Sequence, residues 1–277
     1  MTARHRGALL AGACLGGAVT VWAVVFHVGG VARFDGRLLD AFRGLGQPGL
    51  GPIDTARVQA LVDPKPFLLA SELLVAAALV RRRPTVALAV AAMLLCANLT
   101  SQVLKPLLAA PRGWGVDPSS WPSGHATAAM TLALCGLLIA PRNWRPVVCA
   151  AGAVFALAVG GSILVEGGHF PSDVLGGYLV AGVWAGLAVV ALDLIEVRRP
   201  ALARLAPTPR RWQVRAAAGV ATGVAVGVAM WQTGDVPQFV TDNTKFVVVA
   251  AAIALGSAAL VAGTRSSRRR PVAPRFR

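Results

Sequence analysis

The chain has 277 residues, 56% of them hydrophobic and only 14% charged, with a formal net charge of +15. A mean hydropathy of +0.63 over that length excludes an ordinary water-soluble domain. The charge does not describe a nucleic-acid binder either, because the arginines sit in short clusters between long apolar runs rather than along one basic face.

A helix that crosses the hydrocarbon core of a bilayer needs about 20 apolar residues. Runs at 8–30, 66–80, 85–104, 124–140, 147–165, 173–194, 216–232 and 246–263 reach or approach that length, which predicts an all-α, polytopic transmembrane helical bundle. The first run follows Arg4 and Arg6 but is too long for a usual secretory leader. No small-x-small cleavage pattern follows it, so it is expected to be an uncleaved anchor. Between the first two runs, Phe34, Leu38, Leu39 and Phe42 recur at helical spacing among Asp35, Arg37 and Asp40. This pattern predicts an amphipathic helix on the membrane surface, a lid over the span ends without catalytic residues. The second run is short and carries Glu72. Pro66, Pro84, Pro141 and Pro146 lie at or just outside span ends, where a missing N–H does least harm.

The pattern divides the chain into a six-span core (1–195), a basic cytoplasmic linker (196–215), two additional transmembrane helices (216–264) and a basic cytoplasmic tail (265–277). In the added pair, Gly219, Gly223 and Gly227 repeat every four residues, a spacing that serves close helix packing. Alternating spans from a cytoplasmic N-terminus puts Arg4, Arg6, Arg81 to Arg83, Arg142, Arg145, the linker and the tail on the inside. That is the expected charge asymmetry of a multi-pass protein with both termini cytoplasmic. Cys14, Cys96, Cys135 and Cys149 all fall inside apolar runs and read as packing residues. Trp114 and Trp121 bracket an outer loop and read as interfacial anchors. The bias toward arginine, alanine, glycine and valine fits a GC-rich bacterial genome, and so a bacterial plasma membrane.

The residues able to do chemistry gather at the outer ends of the spans. Lys105 and Arg112 follow the third; Ser123, Gly124 and His125 open the fourth; His169 and Asp173 flank the start of the sixth. Ser123 suits a helix N-cap, Gly124 allows close backbone approach, and the free N–H groups there favour an anion. Lys105 and Arg112 add positive charge for a phosphate. Asp173, four residues after His169, can hold one imidazole nitrogen and leave the other to attack phosphorus, with His125 protonating the departing oxygen. No metal or other cofactor is called for.

These residues resemble the type 2 phosphatidic acid phosphatase superfamily, which includes lipid phosphate phosphatases and vanadium haloperoxidases. Its three motifs are Lys, six residues, Arg-Pro; then Pro-Ser-Gly-His; then Ser-Arg, five residues, His, three residues, Asp. Here they read Lys105 to Arg112, Pro122 to His125, and Ser162 through His169 to Asp173. The resemblance implies that His169 forms a phosphohistidine with Asp173 as its partner and that His125 is the acid. It also implies that Lys105, Arg112, Ser123 and Gly124 hold the phosphate of a lipid phosphate or pyrophosphate. Two positions depart from the pattern. Gly113 replaces the proline after Arg112, and Ile163 replaces the third-motif arginine. Losing one transition-state donor typically costs about 100- to 1,000-fold in rate. The alternative is therefore a catalytically degenerate member that binds an anionic lipid or a protein partner.

Overall fold

The computed structural model describes residues 2–45 and 55–198. The chain separates into two units, Met1–Thr208 and Pro209–Arg277, and the described residues all belong to the first. The two spans expected over 216–264, most of the linker and the tail lie outside them.

Every regular element among the described residues is a helix: α1 (Ala3–His27), α2 (Gly29–Leu45), α3 (Thr55–Ala60), α4 (Pro64–Val80), α5 (Pro84–Leu107), α6 (Gly124–Ile139), α7 (Arg145–Glu166) and α8 (Pro171–Arg198). The six spans expected in the core each coincide with one of these helices. Four of them, α1, α5, α7 and α8, are long and apolar enough to cross a membrane outright. The other two, α4 and α6, have 17 and 16 residues. The chain is a polytopic helical membrane bundle.

Local chemistry sets the helix ends. Thr2 caps α1 by accepting the His5 N–H, and Ser123 caps α6 by accepting the Ala126 N–H at 3.4 Å. Proline opens α4, α5 and α8 and follows the first residue of α7, where its missing N–H would have had no helical partner. Gly167 closes α7 with φ +81°, and its N–H returns to the Ile163 and Leu164 carbonyls. One end departs from expectation. Helix α5 runs on through Pro106 to Leu107, so Lys105 sits in its last turn rather than in a loop.

Helix α8 packs against α1, α5 and α6, and α6 also meets α5 and α7. Small residues make the α1–α8 seam. A Cβ added at Gly186 would fall 2.6 Å from the Ala11 nitrogen and the Gly7 carbonyl, and one at Gly182 would fall 2.5 Å from Cys14 Sγ. Such proximity supplies dispersion contacts where lipid leaves little hydrophobic force between helices. Gly186→Leu is expected to weaken the fold by about 1–3 kcal/mol through overpacking. Gly16→Leu, at a position with open space around it, should leave thermal stability in detergent near wild type. Equal melting temperatures for both variants would refute the seam's importance.

Candidate active site

The three motifs meet at one end of the bundle, where α5 and α7 finish and α6 and α8 begin. The Ser123 N–H donates to the Asp173 carbonyl at 2.9 Å, joining the second motif to the third through backbone alone. Gly177 makes this possible, since a Cβ there would lie 2.7 Å from the Ser123 carbonyl oxygen. The first motif meets the second at Gly124, where an added Cβ would stand 3.6 Å from Lys105 Nζ and 3.1 Å from Gln102 Nε2. Arg112 joins the first motif to the third through a close pairing of its Nη2 with Asp173 Oδ1.

Asp173 is fully buried and every part of it is employed. Its Oδ2 accepts the Phe170 N–H at 3.0 Å and lies 3.4 Å from His169 Nδ1, an ion-pair distance off the hydrogen-bond line. His169 itself is partly open, with 16% of its side chain exposed. The Nδ1 edge of the imidazole thus faces the carboxylate while the ring stays partly exposed. His125 is turned elsewhere. Its Nε2 lies 3.3 Å from Asp63 Oδ1 at the start of α4, and no hydrogen bond or ion pair joins the two imidazoles among the described residues.

Arg112 and Lys105 differ sharply in their surroundings. Lys105 is half-buried and has no hydrogen-bond or ion-pair partner among the described residues. Arg112 has only 7% of its side chain exposed. Its Nη1 donates to Ser172 Oγ at 3.0 Å and approaches Asp35 Oδ2 at 3.5 Å, and its Nη2 donates to Ser120 Oγ at 2.9 Å as well as to Asp173. Phe170 and Phe26 lie against the guanidinium with ring centroids 4.0 and 4.8 Å from Cζ.

Helix α2 is where the sequence-based picture needs correction. It was expected to be an amphipathic helix on the membrane surface, a lid over the span ends without catalytic residues. Instead Leu39 and Asp35 are buried, while Phe34 remains exposed. Asp35 accepts the Ser172 N–H at 3.2 Å and its hydroxyl at 2.6 Å. Burial pushes the Asp35 carboxyl above its usual range, although the Ser172 bonds and Arg112 pull the other way. About two helical turns further on, Arg43 Nη2 donates to the Trp114 and Gly167 carbonyls at 3.0 and 2.8 Å. It thereby ties the loop after Arg112 to the loop before His169.

The two tryptophans also depart from expectation. Trp121 is 3% exposed and packs on Gly176, and Trp114 lies over Gly36 of α2 with its Nε1 donating to Asp40 at 2.9 Å. Both are packing residues. Ile163, where the resemblance leads one to expect an arginine, is 2% exposed and belongs to the same buried apolar cluster as Val159, Leu164 and Val174. Glu166 is exposed and pairs with Gln59 of α3, away from Lys105 and Arg112. Glu72 is exposed near the middle of α4, and nothing in the structure explains it.

A histidine–aspartate pair, a lysine and a capped helix start thus lie together at one end of a membrane-spanning helical bundle. Residues 85–194, which take in most of α5 to α8, match the sequence model of the PAP2 superfamily. No curated protein and no solved structure gives a significant match.

Proposed function

We propose that the protein hydrolyses a lipid phosphate or lipid pyrophosphate at the outer face of a bacterial plasma membrane, through a phosphohistidine on His169. The match to the PAP2 superfamily supports phosphatase-type activity in general. The observation that carries the finer reading is the convergence of all three motifs on Asp173, which stands 3.4 Å from His169 Nδ1.

The chemistry follows from those positions. With Nδ1 held toward Asp173, His169 Nε2 carries the free electron pair. As the Nε2–phosphorus bond forms, the bond from phosphorus to the lipid oxygen breaks, and His125 gives that oxygen a proton. In the second half His125 takes a proton from water, the hydroxide attacks phosphorus, and phosphate leaves His169. Lys105 and the N–H groups that follow Ser123 and Gly124 stabilise the phosphoryl oxygens. Arg81 to Arg83, Arg142 and Arg145 gather at the opposite ends of the helices, and this charge asymmetry supports an outward-facing site.

Purified protein offered isoprenoid and glycerolipid phosphates should release phosphate, and should keep doing so with EDTA present. Loss of all release on chelation would overturn the metal-free mechanism. The buried Ile163 favours a second reading, a member that binds the lipid headgroup without turnover. Saturable binding of the same lipids with no phosphate released would establish it.

A further inference from the structure

Helix α2 carries a carboxyl group with no part in the mechanism above, and it lies outside the matched stretch 85–194. We infer that Asp35 is a positioning residue of the active site: through Arg112 and Ser172 it holds Asp173 against His169, so that one guanidinium links the two carboxylates. This inference rests on the phosphatase reading.

A guanidinium offers five N–H donors in a rigid plane and two faces. The donors on Nη1 are directed to Ser172 and Asp35, and those on Nη2 to Ser120 and Asp173. Phe170 and Phe26 lie against it, and 7% of the side chain is exposed. The guanidinium is thus held in one orientation by side chains from α2, α8 and the loop before α6, while Lys105, beside Gly124, has no partner among the described residues.

Two carboxylates on one guanidinium also fix its orientation. Asp35 and Ser172 draw Nη1 to one side, which aims Nη2 at Asp173 Oδ1. Asp173 Oδ2 is then left to the Phe170 N–H and His169. Without Asp35 the Nη1 edge loses a partner, the guanidinium turns, and Asp173 loses the contact that keeps Oδ2 on the imidazole. A buried charged group deprived of a partner relaxes toward whatever remains, so the displacement is passed on. Asparagine retains the shape of aspartate but places an –NH2 among donors, and it breaks the link without opening a cavity.

The test is Asp35→Asn in the full chain in detergent. Labelled phosphohistidine, trapped by alkaline quench after mixing with a short-chain lipid phosphate, should form about 10- to 100-fold more slowly, while inhibition by inorganic phosphate stays within about twofold of wild type. In an Asp173→Asn background the same change should cost less than about twofold, because both act through one contact. A general loosening of the fold would give multiplying losses instead. Weaker phosphate inhibition at unchanged turnover would overturn the inference, since Asp35 would then not be positioning Asp173. A second measurement does not depend on turnover. With an arginine-selective dicarbonyl reagent, Arg112 should resist modification in the wild type and react in Asp35→Asn and in Ser172→Ala, as read by mass spectrometry of the peptide. Arg112 reacting in wild type as readily as the exposed Arg37 would also overturn it. Absence of phosphohistidine from the wild type, with Arg112 still protected there and reactive in both variants, would defeat the phosphatase reading and leave the Asp35 contact standing.

Discussion

His169→Ala is expected to reduce phosphate release by at least about 1,000-fold and to abolish labelled phosphoenzyme altogether. The loss should be this large because no other described side chain occupies the place from which the nucleophile acts. Asp173 is fully buried and committed to Arg112 and the Phe170 N–H, and His125 faces Asp63. The companion change His125→Ala removes only the proton donor and is expected to cost about 100- to 10,000-fold. Its signature is different: a substrate with a good leaving group, such as a phenolic phosphate, should recover most of the lost rate. Alanine at 169 gains nothing from such a substrate. The measurement is burst-phase kinetics on the two variants, and wild-type phosphoenzyme levels in His169→Ala would sink the assignment.

Ile163→Arg is expected to unfold the protein rather than improve it. The family pattern places an arginine at this position, and supplying it looks at first like a repair. Ile163 is 2% exposed and packs among Val159, Leu164 and Val174. An unpaired charge in such a place costs about 3–5 kcal/mol, a large part of the stability of a domain. Ile163→Leu keeps the volume and should cost less than about 1.5 kcal/mol. Thermal melts in detergent, followed by tryptophan fluorescence, separate the two. A well-folded Ile163→Arg protein with raised turnover would show that the arginine reaches the phosphate, and that the natural chain is a weakened or silent member of its family.

Much of this architecture was legible in the sequence because the membrane imposes simple rules. Apolar length, proline at helix starts and clustered arginine located all six helices of the core, including α4, whose 17 residues and Glu72 made it the weakest. The three motifs singled out Lys105, Arg112, Ser123, Gly124, His125, His169 and Asp173, and the fold brings these stretches to neighbouring helix ends. What was not legible were the partners supplied from outside the motifs. Helix α2 has apolar residues on two sides, and periodicity alone does not say which side meets protein. Asp35, Gly36 and Leu39 form the face that docks, while Phe34 stays exposed. The signal that could have found it was an acid beside a glycine, one turn before a leucine on the same face. Asp63 was hidden for another reason. An aspartate before Pro64 reads as an ordinary helix start, and only the fold brings it 3.3 Å from His125.

The backbone bond from Ser123 to the Asp173 carbonyl, with Gly177 pressed beneath it, has a kinetic consequence. On the proposed mechanism, anion capture and nucleophile aim depend on the same seam between α6 and α8, two helices that start side by side at this end of the bundle. Loosening that seam harms affinity and turnover together, so evolution cannot adjust one against the other there. On that mechanism, adaptation to a new substrate comes from residues outside this seam.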